Sequence, residues 1–203
     1  MIAAHHFRGK WILLLVFAVC VAPVAIAYLT YYVIKPQSRS NYGDLIDPRA
    51  HPLPDLGSHA LNGQPATLAQ WQGKWLLIQV HEAGCDQVCE TRLETRLETK
   101  LFYLRQLRLM QGRDADRIER VWLITDQAPL DAGLMKKYDG TRLLRVDPVK
   151  LAAWLPVKPG MQVSDHLYLI DPLGRLMMRF PANADASQIH KDMTRLLRAS
   201  RIG

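Results

Sequence analysis

Residues 75–80, Trp-Leu-Leu-Ile-Gln-Val, run almost directly into Cys85-Asp-Gln-Val-Cys89 and then into a long stretch with helical spacing. So short and apolar a run suits a central strand covered on both faces. A strand that passes into a helix with two thiols at the junction places both sulfurs at the strand's carboxyl end and the helix's amino end. There the helix dipole lowers thiol pKa and favours the thiolate, the species that binds metals and attacks disulfides. Thiol redox chemistry or soft-metal binding is therefore where the function is to be sought.

The amino terminus sets the compartment. After His5, His6, Arg8 and Lys10 no charged residue occurs from position 11 to 34, roughly 24 residues and long enough to span a bilayer as a helix. Arg8 and Lys10 hold residues 1–10 on the cytoplasmic side, so the chain beyond Lys35 is expected on the exported side, with Tyr28, Tyr31 and Tyr32 in the interfacial belt. Residues 11–34 are thus read as a transmembrane anchor. A cleaved signal peptide is the competing reading, since Ala25-Ile26-Ala27 has the small-x-small form of a cleavage site. Cys20 lies inside the span and is read as a packing or lipid-facing residue.

Of the 26 basic residues 24 follow position 34, with all 19 acidic ones, so the exported part carries a net +5. That balance fits a domain near a membrane surface and argues against a nucleic-acid binder, which would cluster Lys and Arg with stacking aromatics. Residues 35–52, with the polar and proline content that continues to Pro54, read as an extended tether. Residues 53–203 are long enough for one domain with its own core.

Within that domain the pattern is strand, helix, strand, helix, short strand, short helix, hairpin and terminal helix. Residues 61–65, Leu-Asn-Gly-Gln-Pro, read as a turn between short strands. From Cys89 to about Gln111, Leu93, Leu97, Leu101 and Leu104 form one stripe. Its flanking rows, Glu90, Glu94 and Glu98 and Arg92, Arg96 and Lys100, have no opposite partner three or four residues away and read as solvated flanks. Residues 121–125 are a second buried strand, 129–138 a helix with proline in its first turn, 142–146 a short strand and 147–154 a short helix. His166-Leu-Tyr-Leu-Ile170, the turn Asp171-Pro-Leu-Gly174 and residues 175–180 make a hairpin. Residues 185–202 close the domain as an amphipathic helix with Ile189, Met193, Leu196 and Leu197 inward. A parallel β-α-β unit followed by an antiparallel hairpin and a helix is an α/β, thioredoxin-like topology.

Two nearby cysteines in an exported chain can simply form a structural disulfide, but their place at a strand-to-helix junction favours function. Three intervening residues, in place of the two favoured by oxidoreductases of this fold, let both sulfurs converge on a point outside the helical turn, which suits a metal. Two thiolates select soft ions such as Cu(I), and a neutral imidazole completes a trigonal set acceptable to either copper oxidation state. His166, starting the strand expected beside the cysteine loop, is the candidate, with Asp165 available to orient the ring. His81, at the end of the first strand, is an alternative ligand or a solvent-facing residue. His51, His59 and His190 read as surface residues.

The segment Val163-Ser-Asp-His-Leu-Tyr-Leu-Ile-Asp-Pro-Leu-Gly174, together with Cys-x3-Cys after an apolar strand and a single amino-terminal anchor, resembles the Sco/SenC family of cytochrome c oxidase assembly proteins over roughly residues 53–200. The resemblance implies copper held by Cys85, Cys89 and His166. As partner it implies cytochrome c oxidase subunit II or another copper acceptor, whose site the protein loads or keeps reduced. The family's prolines around the motif are replaced here by Asp86 and Glu90, its usual aromatic or glycine residues before it by His81-Glu-Ala-Gly84, and its Asp-Pro-x-x-Asp-Thr-like segment by Thr125-Asp-Gln-Ala-Pro-Leu-Asp131. These departures mark a divergent branch. The alternatives are an exported thiol-disulfide oxidoreductase, in which Cys85 attacks and Cys89 resolves without His166, and a peroxide or redox sensor using the same pair.

Overall fold

A computed structural model describes residues 3–34, 41–84, 90–200 and 202. The chain divides into two compact units, residues 1–40 and 41–203.

The first unit is helix α1 (Ala3–Leu29), which continues into a π-helical turn at Thr30–Ile34. Trp11–Tyr32 is apolar, uncharged and long enough to cross a membrane, a description that an anchor and a signal sequence share. Pro23 sits inside the helix, where its missing N–H removes one rung of the hydrogen-bond ladder. Near the end, Thr30 Oγ1 donates to the carbonyl of Ile26 at 2.7 Å, and the Tyr32 ring lies tilted against Tyr28 and edge-on to Tyr31 at centroid distances of 4.5 and 4.8 Å. Cys20 is exposed on this helix.

The second unit is built on a six-stranded sheet. Its strands are β1 (Asp44–Leu45), β2 (Trp75–His81), β3 (Ile118–Ile124), β4 (Thr141–Arg145), β5 (Leu167–Ile170) and β6 (Leu176–Phe180). They lie in the order β1-β6-β5-β2-β3-β4. Strands β2, β3 and β4 are parallel, whereas β5 runs antiparallel to β2 and β6 antiparallel to β5. This is the expected thioredoxin-like order, with β4 and β1 added at the two edges.

One face of the sheet carries α2 (Glu90–Met110) and α5 (Ala186–Ala199), whose Leu101, Leu104, Leu107, Ile189, Met193 and Leu197 pack on Trp75, Leu77 and Trp122. The other face carries α4 (Pro148–Trp154), whose Leu151 and Trp154 pack with Leu76, Ile78, Val80, Val121 and Leu123. Alternate residues of β2 and β3 thus enter different cores, so both strands read as nearly unbroken apolar runs. Leu196, expected inward, is partly buried at the rim of the first core.

Strand β3 starts at Ile118, ahead of the expected residue 121, because Glu119 and Arg120 disguise its beginning. Both are buried: Glu119 accepts from Lys74 Nζ and Arg142 Nε, each at 3.1 Å, and Arg120 Nη2 donates to the carbonyl of Asp139 at 2.8 Å. Helix α3 (Ala132–Lys137) is shorter than expected. Asp131 caps it, accepting from Gly133 N and Leu134 N, which leaves Pro129 in the preceding loop. The residue pair Asp147-Pro148 opens α4 as read from the sequence.

The stretch read as a tether is in part docked on the sheet. From Asn41 onward it belongs to the second unit: Tyr42 N and Gly43 N donate to the buried Asp192 Oδ2 at 2.7 and 2.9 Å, and β1 pairs with β6. Backbone pairing and a carboxylate 149 residues away hold this segment, and neither leaves a mark in its composition. Likewise residues 61–65 turn without flanking strands, closed by an isolated bridge from His59 to Pro65 with Gly63 at φ 79°.

Candidate functional site

The carboxyl ends of β2 and β3 lie at one end of the sheet. Strand β5 begins there, since Gln79 pairs with Leu167 and His166 lies one step further along. Cys85 and Cys89 fall outside the described residues, between the loop that leaves β2 and the start of α2 at Glu90.

That loop, residues 82–84, is held by Asp126, two residues beyond the end of β3. Its Oδ1 accepts from Ala83 N and its Oδ2 from Gly84 N, both at 2.8 Å. Arg145 backs the clamp from β4: Nη1 donates to the carbonyl of Asp126, Nη2 donates to that of Ala128 at 2.7 Å, and Nη1 lies 3.8 Å from Asp126 Oδ1. The loop passes so close to the 126–128 segment that a Cβ on Gly84 would sit 2.5 Å from the Cβ of Ala128. In the sequence the Thr125–Asp131 stretch and Gly84 read only as departures from a family pattern. An isolated Asp carries no signal of a partner 42 residues away.

His166 is fully buried. Its Nδ1 lies 2.9 Å from the carbonyl oxygen of Phe180 in β6. A carbonyl only accepts, so Nδ1 carries the ring proton and Nε2 keeps its lone pair. Nε2 is itself buried and has no hydrogen-bond partner among the described residues. Burial pushes the imidazole pKa down; the Phe180 bond opposes this and the Arg179 charge adds to it, so the ring stays below its ordinary 6.5 and is neutral at pH 7. The ring packs edge to face on Tyr168 at 6.1 Å, a phenol whose pKa burial pushes well above the ordinary tyrosine value.

Asp165 does not orient that ring, as the sequence reading allowed. Its Oδ2 accepts from Gln162 N at 2.9 Å, closing a short 3-10 turn (Val163–Asp165), and the Phe180 carbonyl does the orienting. His81 is likewise no solvent-facing residue. It is buried at the end of β2, with Nδ1 3.0 Å from the carbonyl of Glu82, while its own carbonyl accepts from Trp122 Nε1. The three remaining histidines of the second unit are part-buried: His51 Nδ1 lies 3.1 Å from the Trp154 carbonyl, His59 bridges Arg145 through its backbone, and His190 Nδ1 lies 2.9 Å from Gln111 Nε2.

Gln79 Nε2 donates to the carbonyls of Val80 and Ser164, and Lys100 Nζ donates to that of Ser164, tying the 163–165 turn to β2 and α2. Beside this junction lies a cavity of about 450 Å³ lined by Gln79, Lys100, Tyr103, Met161, Asp165 and Asn183. Among the described residues no three His, Cys, Asp or Glu side chains form a metal-binding group.

A sheet of order β3-β2-β5-β6 at its centre, with helices packed on both faces, is the arrangement of a thioredoxin-like protein. Residues 75–200, more than half of the chain, match the family model described as transmembrane-like, thioredoxin-like, C-terminal domain, and the chain belongs to that family. Solved structures similar to it include the copper-bound ScoI of Bradyrhizobium japonicum (22% identical, 68% of this chain and 94% of that one covered, TM-score 0.43). A thiol:disulfide interchange protein from Bacteroides sp. is 16% identical over 74% of this chain and 91% of that one, with a TM-score of 0.48. A protein of Aquifex aeolicus VF5 is 14% identical over 74% and 98%, with a TM-score of 0.51. At these identities the likeness is one of fold. No curated protein matches the chain in sequence.

Proposed function

We propose that the protein is a membrane-anchored, copper-binding assembly factor, with Cys85, Cys89 and His166 as ligands and with cytochrome c oxidase subunit II or another copper acceptor as partner. Copper is its cargo. The observation that carries this reading is the His166 ring: a neutral imidazole, fixed through Nδ1, with a buried Nε2 lone pair that no described group uses. Leaving such an acceptor unmet costs about 1–3 kcal/mol, and a soft or borderline metal ion meets it. The carbonyl bond to Nδ1 is also the usual way in which a ligand imidazole is oriented. Two thiolates from Cys85 and Cys89 supply the soft donors that select Cu(I), and the nitrogen makes Cu(II) tolerable.

In this reading residues 11–34 anchor the chain, residues 1–10 stay in the cytoplasm and the thioredoxin-like domain acts on the exported side. The protein then either hands copper over or reduces the acceptor's cysteines with its own thiol pair. The test is copper analysis of the full chain purified with reduced thiols. One Cu(I) per chain is expected in the parent and in Cys20→Ser, with collapse in Cys85→Ser and in Cys89→Ser. If Cys89→Ser holds copper as well as the parent does, the ligand set is wrong. If the cysteines are essential in cells while copper binding and the His166→Ala phenotype are both absent, the protein acts as an exported thiol-disulfide oxidoreductase.

A further inference from the structure

We infer that Asp126 is a positioning residue for the thiol pair, acting through the backbone of the two residues that precede Cys85. The inference rests on the reading of Cys85 and Cys89 as the working thiols. Each oxygen of the Asp126 carboxylate accepts one of two consecutive backbone N–H groups, from Ala83 and Gly84, at 2.8 Å. Such charge-assisted bonds are short and about twice as strong as neutral ones. The carboxylate's own backbone is fixed in turn by Arg145, which bonds the carbonyls of Asp126 and Ala128 and is 12% exposed at its side chain. Arg145 is itself locked into the sheet edge by reciprocal backbone bonds with His59 at 2.9 and 3.0 Å. A line of contacts therefore runs from β4 through Arg145 and Asp126 to the residue adjoining Cys85.

The absence of a Cβ at Gly84 has the same meaning. Any larger residue there would collide with Ala128, so the loop is built to lie against the 126–128 segment. A loop of three residues following a buried strand could satisfy its N–H groups with water. Here both are given to one carboxylate, which fixes the direction in which the chain enters the Cys-x3-Cys segment.

The placement predicts a redox effect with a definite sign. In exchange with oxidised glutathione the two cysteine thiols give up two electrons and two protons, forming one S–S bond and releasing two glutathione thiols. Loosening the loop lowers the effective concentration of one thiol at the other and so disfavours the disulfide.

The experiment uses the full chain in detergent micelles with Cys20→Ser, comparing the parent with Asp126→Asn, Asp126→Glu and the exposed-site control Asp116→Asn. The equilibrium constant for disulfide formation is expected to fall at least threefold in both Asp126 variants and to stay unchanged in the control. Because Asp126→Glu keeps the charge and moves it by one methylene, a fall shared with Asp126→Asn assigns the effect to placement. An unchanged constant in both variants, or a fall in Asp126→Asn alone, overturns the positioning role and leaves the function of the cysteines standing. A parent that neither exchanges with glutathione nor binds Cu(I) removes the thiol reading itself, and the inference with it.

Discussion

Gly84→Ala isolates the close packing of the loop before Cys85. The new methyl carbon would stand 2.5 Å from the Cβ of Ala128 and 3.3 Å from Asp126 Oδ2. Carbon atoms pack at about 3.5–4.0 Å, so one of the two segments must give way by about 1 Å. Overpacking of this kind costs about 1–3 kcal/mol. The displaced loop also strains the two 2.8 Å bonds to Asp126. A loss of about 2–3 kcal/mol is therefore expected, read as a fall of about 4–12 °C in Tm for a domain of this size. The rescue is specific. Ala128→Gly removes the atom that is struck, costs below about 1 kcal/mol alone in this non-helical segment, and in the double variant restores more than half of the loss. Urea unfolding of the four proteins yields the interaction energy, expected to be about 1 kcal/mol or more in the favourable direction. A Gly84→Ala protein within about 0.5 kcal/mol of the parent, or a double variant no better than the single, would refute the close approach.

His166→Ala is expected to weaken Cu(II) binding far more than Cu(I) binding, because the nitrogen is the harder ligand, and to leave Cys85–Cys89 disulfide formation intact; Cu(II) spectra and glutathione exchange check the two halves. Asp192→Ala removes the acceptor for Tyr42 N and the buried Gly43 N and should cost about 2–4 kcal/mol in urea unfolding, with earlier proteolysis near residues 41–46; equal stability would show that these bonds are replaced by water. Burial raises the Glu119 carboxyl pKa, but hydrogen bonds from Lys74 and Arg142 outweigh it and hold the group below 4.5. Its contribution is thus present above pH 4.5 and lost as pH falls through the lower folded-state value, so Glu119→Gln should flatten the acid limb of stability, and an unaltered limb counts against the pairing. The exported chain is expected to remain membrane-attached, and a mature soluble form beginning near Tyr28 would assign residues 11–34 to a signal peptide instead.

Local pattern was enough for the elements that repeat a simple rule. The uncharged run from position 11 to 34, the apolar β2, the helix starts about Asp147 and Asp185, and the hairpin about Asp171-Pro-Leu-Gly174 each declare themselves within a few residues. Spacing and burial there are set by neighbours in sequence. From those elements the order β-α-β followed by a hairpin and a helix could be assembled, and with it the end of the sheet at which His166 lies. The tertiary structure decided what depends on groups far apart in the chain. Glu119 and Arg120 lie inside a strand because Lys74, Arg142 and the Asp139 carbonyl meet them there. Residues 41–46 join the sheet because β6 and Asp192 accept them. Phe180 in place of Asp165 orients His166, and Asp126 holds the approach to Cys85. A hydrogen bond to a buried carbonyl or carboxylate is directional and has no sequence period, so only the folded backbone brings its two ends together.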